Sequence, residues 1–198
     1  MRQLIDMYIS AEESEVISAF ENMTLVQLLV ERGPDAVASL PEGIRNSKEA
    51  VAETIENNLR RLLVKKEALD PVYYQQMSQI LDELIKDRKV RQLEYEKYLE
   101  RIVALTKKID NPGGEPFPPD IDTPAKRALY NNIGKNAELA SALHSRIMGT
   151  KKADFRGSEA KVREVKGAIQ TVLCEFGVTD TEEVERLYKI VEAQKDEY

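Results

Sequence analysis

Tryptophan is absent from this chain, and histidine and cysteine occur once each, as His144 and Cys174. A lone cysteine forms no internal disulfide and suits a reducing cytosol. One histidine and one cysteine cannot build a His/Cys zinc site. A di-metal carboxylate bundle needs paired Glu-x-x-His motifs, and the position three before His144 is Ser141. His144 would have to serve any catalytic triad alone, and in a short amphipathic helix it reads as a structural or surface residue. Cys174 lies among Val172, Leu173 and Phe176 and reads as a buried packing residue.

Long apolar runs are also missing. No stretch approaches the roughly 18 apolar residues of a membrane-spanning helix, so no membrane partner is expected. The opening MRQLIDMYISAEESE lacks the apolar centre and cleavage site of a signal peptide. No G-x-x-x-x-G-K-[ST] phosphate loop occurs; Gly149-Thr150-Lys151-Lys152 is a helix end followed by charge. Asp82-Glu83 has the look of an ATPase acidic pair, but it lies mid-helix rather than at a strand end, as a solvated face would. Glu159-Ala160-Lys161 and Glu164-Val165-Lys166 match the acid-x-Lys string of metal-dependent nucleases, again in helical surroundings. No catalytic residue, metal ligand or cofactor site is therefore expected within the chain.

What is present is charge and helical periodicity. The 198 residues are 42% hydrophobic and 32% charged, which fits one large helical domain or two small ones. The net charge of −6 is unevenly spread. Residues 1–43 hold eight acids against two bases and the last 21 residues seven against three, while 44–177 hold 24 bases against 20 acids. A free-standing DNA-binding domain would show a stronger basic excess.

Apolar Leu4, Ile5, Tyr8 and Ile9 open the chain at helical spacing without a cap, as if cut from a longer polypeptide. Thr24 to Gln27 reads as a capping box for a helix that stops at Gly33-Pro34, and Asn46 to Glu49 as a second box. Asp70-Pro71 is a cap and first-turn pair, and neither glycine nor proline recurs before Pro112. Met77, Leu81, Leu84, Arg88, Arg91, Tyr95, Tyr98, Ile102, Leu105 and Ile109 alternate in steps of four and three. That pattern predicts one helix of about 35–40 residues, roughly 58 Å long, at the centre of an all-α, irregular helical bundle. Arginine at both middle seam positions needs an acidic or carbonyl partner, or the helix is exposed, bent or bound there; otherwise both side chains snorkel off its edge. The Pro/Gly-rich stretch 111–122 either divides residues 1–110 from 123–198 or is a long loop within one domain. Beyond it Thr123-Pro124, Asn136, Ser158 and Asp180 start helices, with Gly134, Gly149 and Gly177 as stops.

Two basic clusters are candidate contact surfaces. NNLRRLLVKK (57–66) carries Arg60, Arg61, Lys65 and Lys66. KKADFRGSEAKVREVK (151–166) sets Lys151, Lys152 and Arg156 around Phe155 near a helix start, where phosphates could be met; a solvated face or a protein contact is the other reading. Arg88 and Arg91 complete the set. Tyr73, Tyr74, Tyr95, Tyr98, Tyr130 and Tyr188 could stack on bases, although Tyr95 and Tyr98 sit at seam positions and read as core.

Several stretches together resemble the C-terminal helical region of the restriction (motor) subunit of type I restriction–modification enzymes. They are MTLVQLLVERGPDAVASLPEGIRNSKEAVAETIENNLRRLL, DPVYYQQMSQILDELI, TPAKRALYNNIGKN and DFRGSEAKVREVKGAI, in that order. The resemblance implies a noncatalytic domain, in a bacterial or archaeal cytoplasm, that helps attach the subunit to the methyltransferase and specificity subunits. ATP, Mg²⁺ and S-adenosylmethionine belong to the parent assembly, which translocates and cleaves duplex DNA. None of their binding motifs lies in this chain. Contact of the basic positions with duplex DNA phosphates, or plain bracing of the motor, are the alternatives.

Overall fold

The computed structural model describes residues 25–90, 93–114 and 116–198, and every regular element among them is helical. The expected all-α, irregular bundle is what forms. The first-helix positions Leu4 to Ile9, the Thr24 cap and Arg91 lie outside the described residues.

Helix α1, Leu25–Arg32, buries Leu25, Val26, Leu28 and Leu29. Gly33 ends it at φ +61°, a conformation that strains any residue with a Cβ. A 3₁₀ segment, Gly33–Ser39, leads to the short α2, Glu42–Arg45, and then to α3, Lys48–Glu67. The cap of α3 is Ser47, whose hydroxyl accepts from the Ala50 N–H at 3.2 Å, rather than the expected Asn46. Asn46 keeps helical angles because it closes α2, so the extended conformation a cap requires falls to the next residue.

The single long helix is replaced by a hairpin. Helix α4, Pro71–Lys89, and helix α5, Tyr95–Asp110, are separated by a break with neither glycine nor proline in it. The Tyr73 hydroxyl at the start of α4 donates to the Lys108 carbonyl near the end of α5, so the two run antiparallel. The physical reason lies in the apolar stripe. A straight helix would leave much of the seam in water, whereas doubling back brings Tyr98, Ile102 and Ile109 to full burial. Each large apolar side chain so buried contributes roughly 1.5–3 kcal/mol. Arg88 interrupts the stripe just before the end of α4.

After a 3₁₀ turn at Pro112–Gly114, the second half comprises α6, Pro124–Asn132; α7, Ala137–Thr150; a 3₁₀ turn at Phe155–Gly157; α8, Glu159–Glu175; and α9, Thr181–Ala193. Thr123, Asn136 and Asp180 cap as expected, accepting from Lys126, Leu139 and Glu182 N–H groups. Helix α7 runs through Gly149 instead of stopping there. Gly177, at φ +79°, terminates α8, and the Val178 N–H reaches back to the Leu173 carbonyl at 2.8 Å. Cys174 is exposed, not buried. Val165, Ala168, Ile169, Val172 and Leu173 take the inner face of α8, and the next residue is rotated about 100° away toward solvent.

The apolar interior forms two clusters. One gathers Leu25 to Ile109 from α1, α3, α4 and α5; the other gathers Ile121 to Tyr198 from α6 to α9. Hydrogen bonds from Asn131 and Asn132 to Asp70, and from Gln194 to the Leu69 carbonyl, join the two.

Candidate functional site

The basic stretch of α3 does not form one patch. Arg60 is tied to Asp82 of α4 at 2.6 Å, with both side chains more than half exposed. Arg61 and Lys65 are exposed and pair with nothing among the described residues. Lys66 turns the other way, donating to the Ile109 carbonyl at 3.1 Å beside Asp110 at 3.7 Å.

Arg88 is no surface contact, nor does it snorkel. Its side chain is only 8% exposed and lies against Glu56, also 8% exposed, with Nε to Oε1 at 2.9 Å. A second nitrogen reaches Glu49 at 2.6 Å, and the Tyr98 hydroxyl donates to Glu56 at 2.8 Å. The carboxylates raise the arginine above its ordinary value and overcome the opposing effect of burial. Burial, reinforced by Glu56, raises the Tyr98 phenol. Helices α3, α4 and α5 thus meet at one buried ion pair.

The second cluster is likewise consumed internally. Phe155 is 1% exposed and belongs to the core, so it offers no face to a base. Arg156 crosses its ring at 4.4 Å and directs its guanidinium at the end of α9. There it donates to the carbonyls of Glu192, Val191, Gln194 and Tyr198 at 2.8 to 3.1 Å. The Val191 and Glu192 carbonyls lie in the last turn of α9, where helical partners run out, so a cation is the natural cap. A guanidinium so placed turns four of its five N–H donors to the chain's own backbone. Lys152 pairs with Glu164 at 2.8 Å, and Lys151 lies over the Tyr198 ring at 5.7 Å.

Tyr198 also anchors His144, whose Nδ1 is 3.0 Å from the phenol oxygen. Burial, helped by Lys126, holds the imidazole below its ordinary value, against weaker opposing fields from Glu197 and Asp122. A depressed histidine stabilises the fold fully above its unfolded pKa, and the gain is lost as pH falls through the folded value. Wild type should therefore lose stability relative to His144→Gln on acidification below the ordinary histidine range. Denaturant titrations at several pH values test this, and parallel curves for the two proteins would disprove it.

The joint between the halves centres on Asp70, which is 7% exposed. One carboxylate oxygen accepts from the Tyr73 N–H, capping α4, and from Asn132 at 2.7 Å; the other accepts from Asn131 at 2.7 Å. Burial nevertheless raises this carboxyl above the usual aspartate value, outweighing its three donors. Arg186 of α9 donates to the Asn132 carbonyl and pairs with Glu183. Gln194 crosses the same joint, its Nε2 donating to the Leu69 carbonyl at 3.0 Å.

Beside the joint lies a cleft of about 620 Å³, with Lys66, Tyr74 and Asp110 on one wall and Arg127, Ala128 and Gln194 on the other. Neither the Asp70 cluster nor this cleft was anticipated from sequence. The Asp70-Pro71 cap was visible, but its distant asparagine partners carried no local signal. Among the described residues no group of three or more His, Cys, Asp and Glu is placed to hold a metal ion. No helix described is long and apolar enough to cross a membrane.

No protein-family model matches the chain, and no curated protein or solved structure matches it either.

Proposed function

We propose that this chain is the C-terminal helical docking domain of the restriction subunit of a type I restriction–modification enzyme. In this reading it performs no chemistry itself and attaches an ATP-dependent DNA translocase and nuclease to the methyltransferase–specificity core. The observation that carries the reading is the ordered set of four resembling stretches, which spans most of the chain. An all-helical architecture is in keeping with it.

The positions those stretches contribute also suit an assembly role. Asp70 of the second, Asn131 and Asn132 of the third, and Arg156 of the fourth hold helices to one another. Residues spent on internal fastening make a rigid body, and a rigid body docks with less loss of conformational entropy. DNA contact is the competing reading. Of the candidate cations described, Arg61 and Lys65 are those left exposed and unpaired.

Binding of the purified chain to the purified methyltransferase–specificity core, with duplex DNA binding titrated in salt alongside, separates the two. Phosphate contacts weaken steeply as salt rises, while a packed protein interface weakens far less. Core binding that survives raised salt is the expected result. Duplex binding lost in Arg61→Glu and Lys65→Glu, without core binding, would replace docking by DNA guidance.

A further inference from the structure

The cleft beside the Asp70 joint contains polar groups that the fold leaves unanswered. Gln194 is 6% exposed, and its Oε1 is shielded from solvent without a hydrogen-bond partner. The orientation of this amide is fixed, because the Leu69 carbonyl only accepts and must face Nε2. Opposite in chemical sense, the Nε–H of Arg127 is also shielded and unpartnered. Another nitrogen of Arg127 donates to the Asp122 carbonyl at 3.1 Å. Its guanidinium lies over the Phe117 ring at 5.4 Å. Tyr74 adds a hydroxyl on a ring that is 4% exposed, and burial above all, followed by Tyr73, Asp70 and Asp110, raises it to about 12. That hydroxyl is a donor at the pH of the cell. A buried polar atom left unpaired costs about as much as a lost hydrogen bond or more, so both orphans favour an occupant that answers them.

The pattern of donors and acceptors selects that occupant. A phosphate or phosphodiester only accepts, so it would leave Gln194 Oε1 unanswered, and the cleft sets four acids, Asp70, Asp110, Asp196 and Glu197, against three bases, Lys66, Arg127 and Lys195. An ammonium group or metal ion cannot accept from Arg127 or Tyr74. A secondary amide does both at once. Apolar surface from Ala128 and Ala193 and the flanking prolines Pro112 and Pro124 leaves room for a side chain between successive amides. We infer that this cleft seats an extended peptide segment of a partner protein, its N–H groups donating to Gln194 Oε1 and its carbonyls accepting from Arg127 and Tyr74. The walls belong to separate hydrophobic clusters, so the small parting needed to reach the shielded atoms draws on the hydrogen bonds of the joint, Gln194 to Leu69 among them, and breaks no shared core.

This inference rests on the docking reading, with the methyltransferase–specificity core as the source of the peptide. Two variants of the whole chain test it against that purified core. Ala193→Trp fills the cleft from a half-buried position and should weaken core binding by about tenfold or more. Tyr74→Phe removes a hydroxyl with no hydrogen-bond partner among the described residues, should leave the melting temperature unchanged, and should weaken binding by about fivefold. A photo-crosslinker in place of the exposed Lys195 should attach to one short stretch of the core. If wild type binds the core and both variants bind equally well, the cleft is not the site and docking stands. If wild type does not bind the core, both readings fall. Crosslinking of Lys195 to duplex DNA instead would assign the cleft to nucleic acid and overturn the inference.

Discussion

Glu56→Ala is expected to lower the free energy of unfolding by about 3–5 kcal/mol, the usual cost of stranding a buried charge. The carboxylate lies between the Nε of Arg88 at 2.9 Å and the hydroxyl of Tyr98 at 2.8 Å, both buried. Removing it leaves a guanidinium with a side chain only 8% exposed and the exposed Glu49 as its remaining partner. Chemical denaturation of the purified chain measures the loss, and a change below about 1 kcal/mol would show that water or Glu49 takes over. The companion test replaces all three polar groups. Glu56→Leu with Arg88→Met and Tyr98→Phe restores apolar packing, and it should recover most of the lost stability, because a buried ion pair seldom outperforms a well-packed hydrophobic replacement.

The second large effect concerns the joint. Asp70→Ala removes the cap of α4 and strands the side-chain donors of Asn131 and Asn132 at once. A lost cap costs about 1 kcal/mol and each stranded buried donor about 1–3 kcal/mol, so a loss of about 3 kcal/mol is expected after partial relaxation. The pH dependence carries an unusual sign. Burial holds this carboxyl above the ordinary aspartate value, so the folded state keeps a proton that the unfolded chain has already released. Its contribution is complete below the unfolded pKa and is lost as pH rises through the folded value. The stability of wild type minus that of Asp70→Asn should therefore fall with rising pH just above the ordinary aspartate range. A difference that grows with pH would mean that the three donors outweigh desolvation.

These sites also show where sequence reasoning succeeds and stops. Caps such as Asp70-Pro71 and Thr123-Pro124 are legible because the side chain and the N–H it receives lie three residues apart. Amphipathic periodicity is equally local, which is why the all-helical class was readable. The long seam misleads because four-three spacing looks the same in one straight helix and in two that face each other. What separates them is long-range: the burial of α5 against α4, and the bond from Arg88 to Glu56, 32 residues away. Arg156 presents the same difficulty. Beside Lys151 and Lys152 it resembles part of a phosphate site, yet its partners are carbonyls 35 to 42 residues onward. The Asp70 bonds to Asn131 and Asn132 span 61 and 62 residues. Polar groups buried by tertiary structure announce themselves only through their partners.

The outward-facing thiol of Cys174 has a practical consequence. As the one cysteine in the sequence, it accepts a maleimide dye or a nitroxide at a single defined point, without substitution elsewhere. It sits on the last turn of α8, within the second half. A reporter placed there rides on the second half alone, so its distance to a bound subunit can be followed while the fold stays as it is.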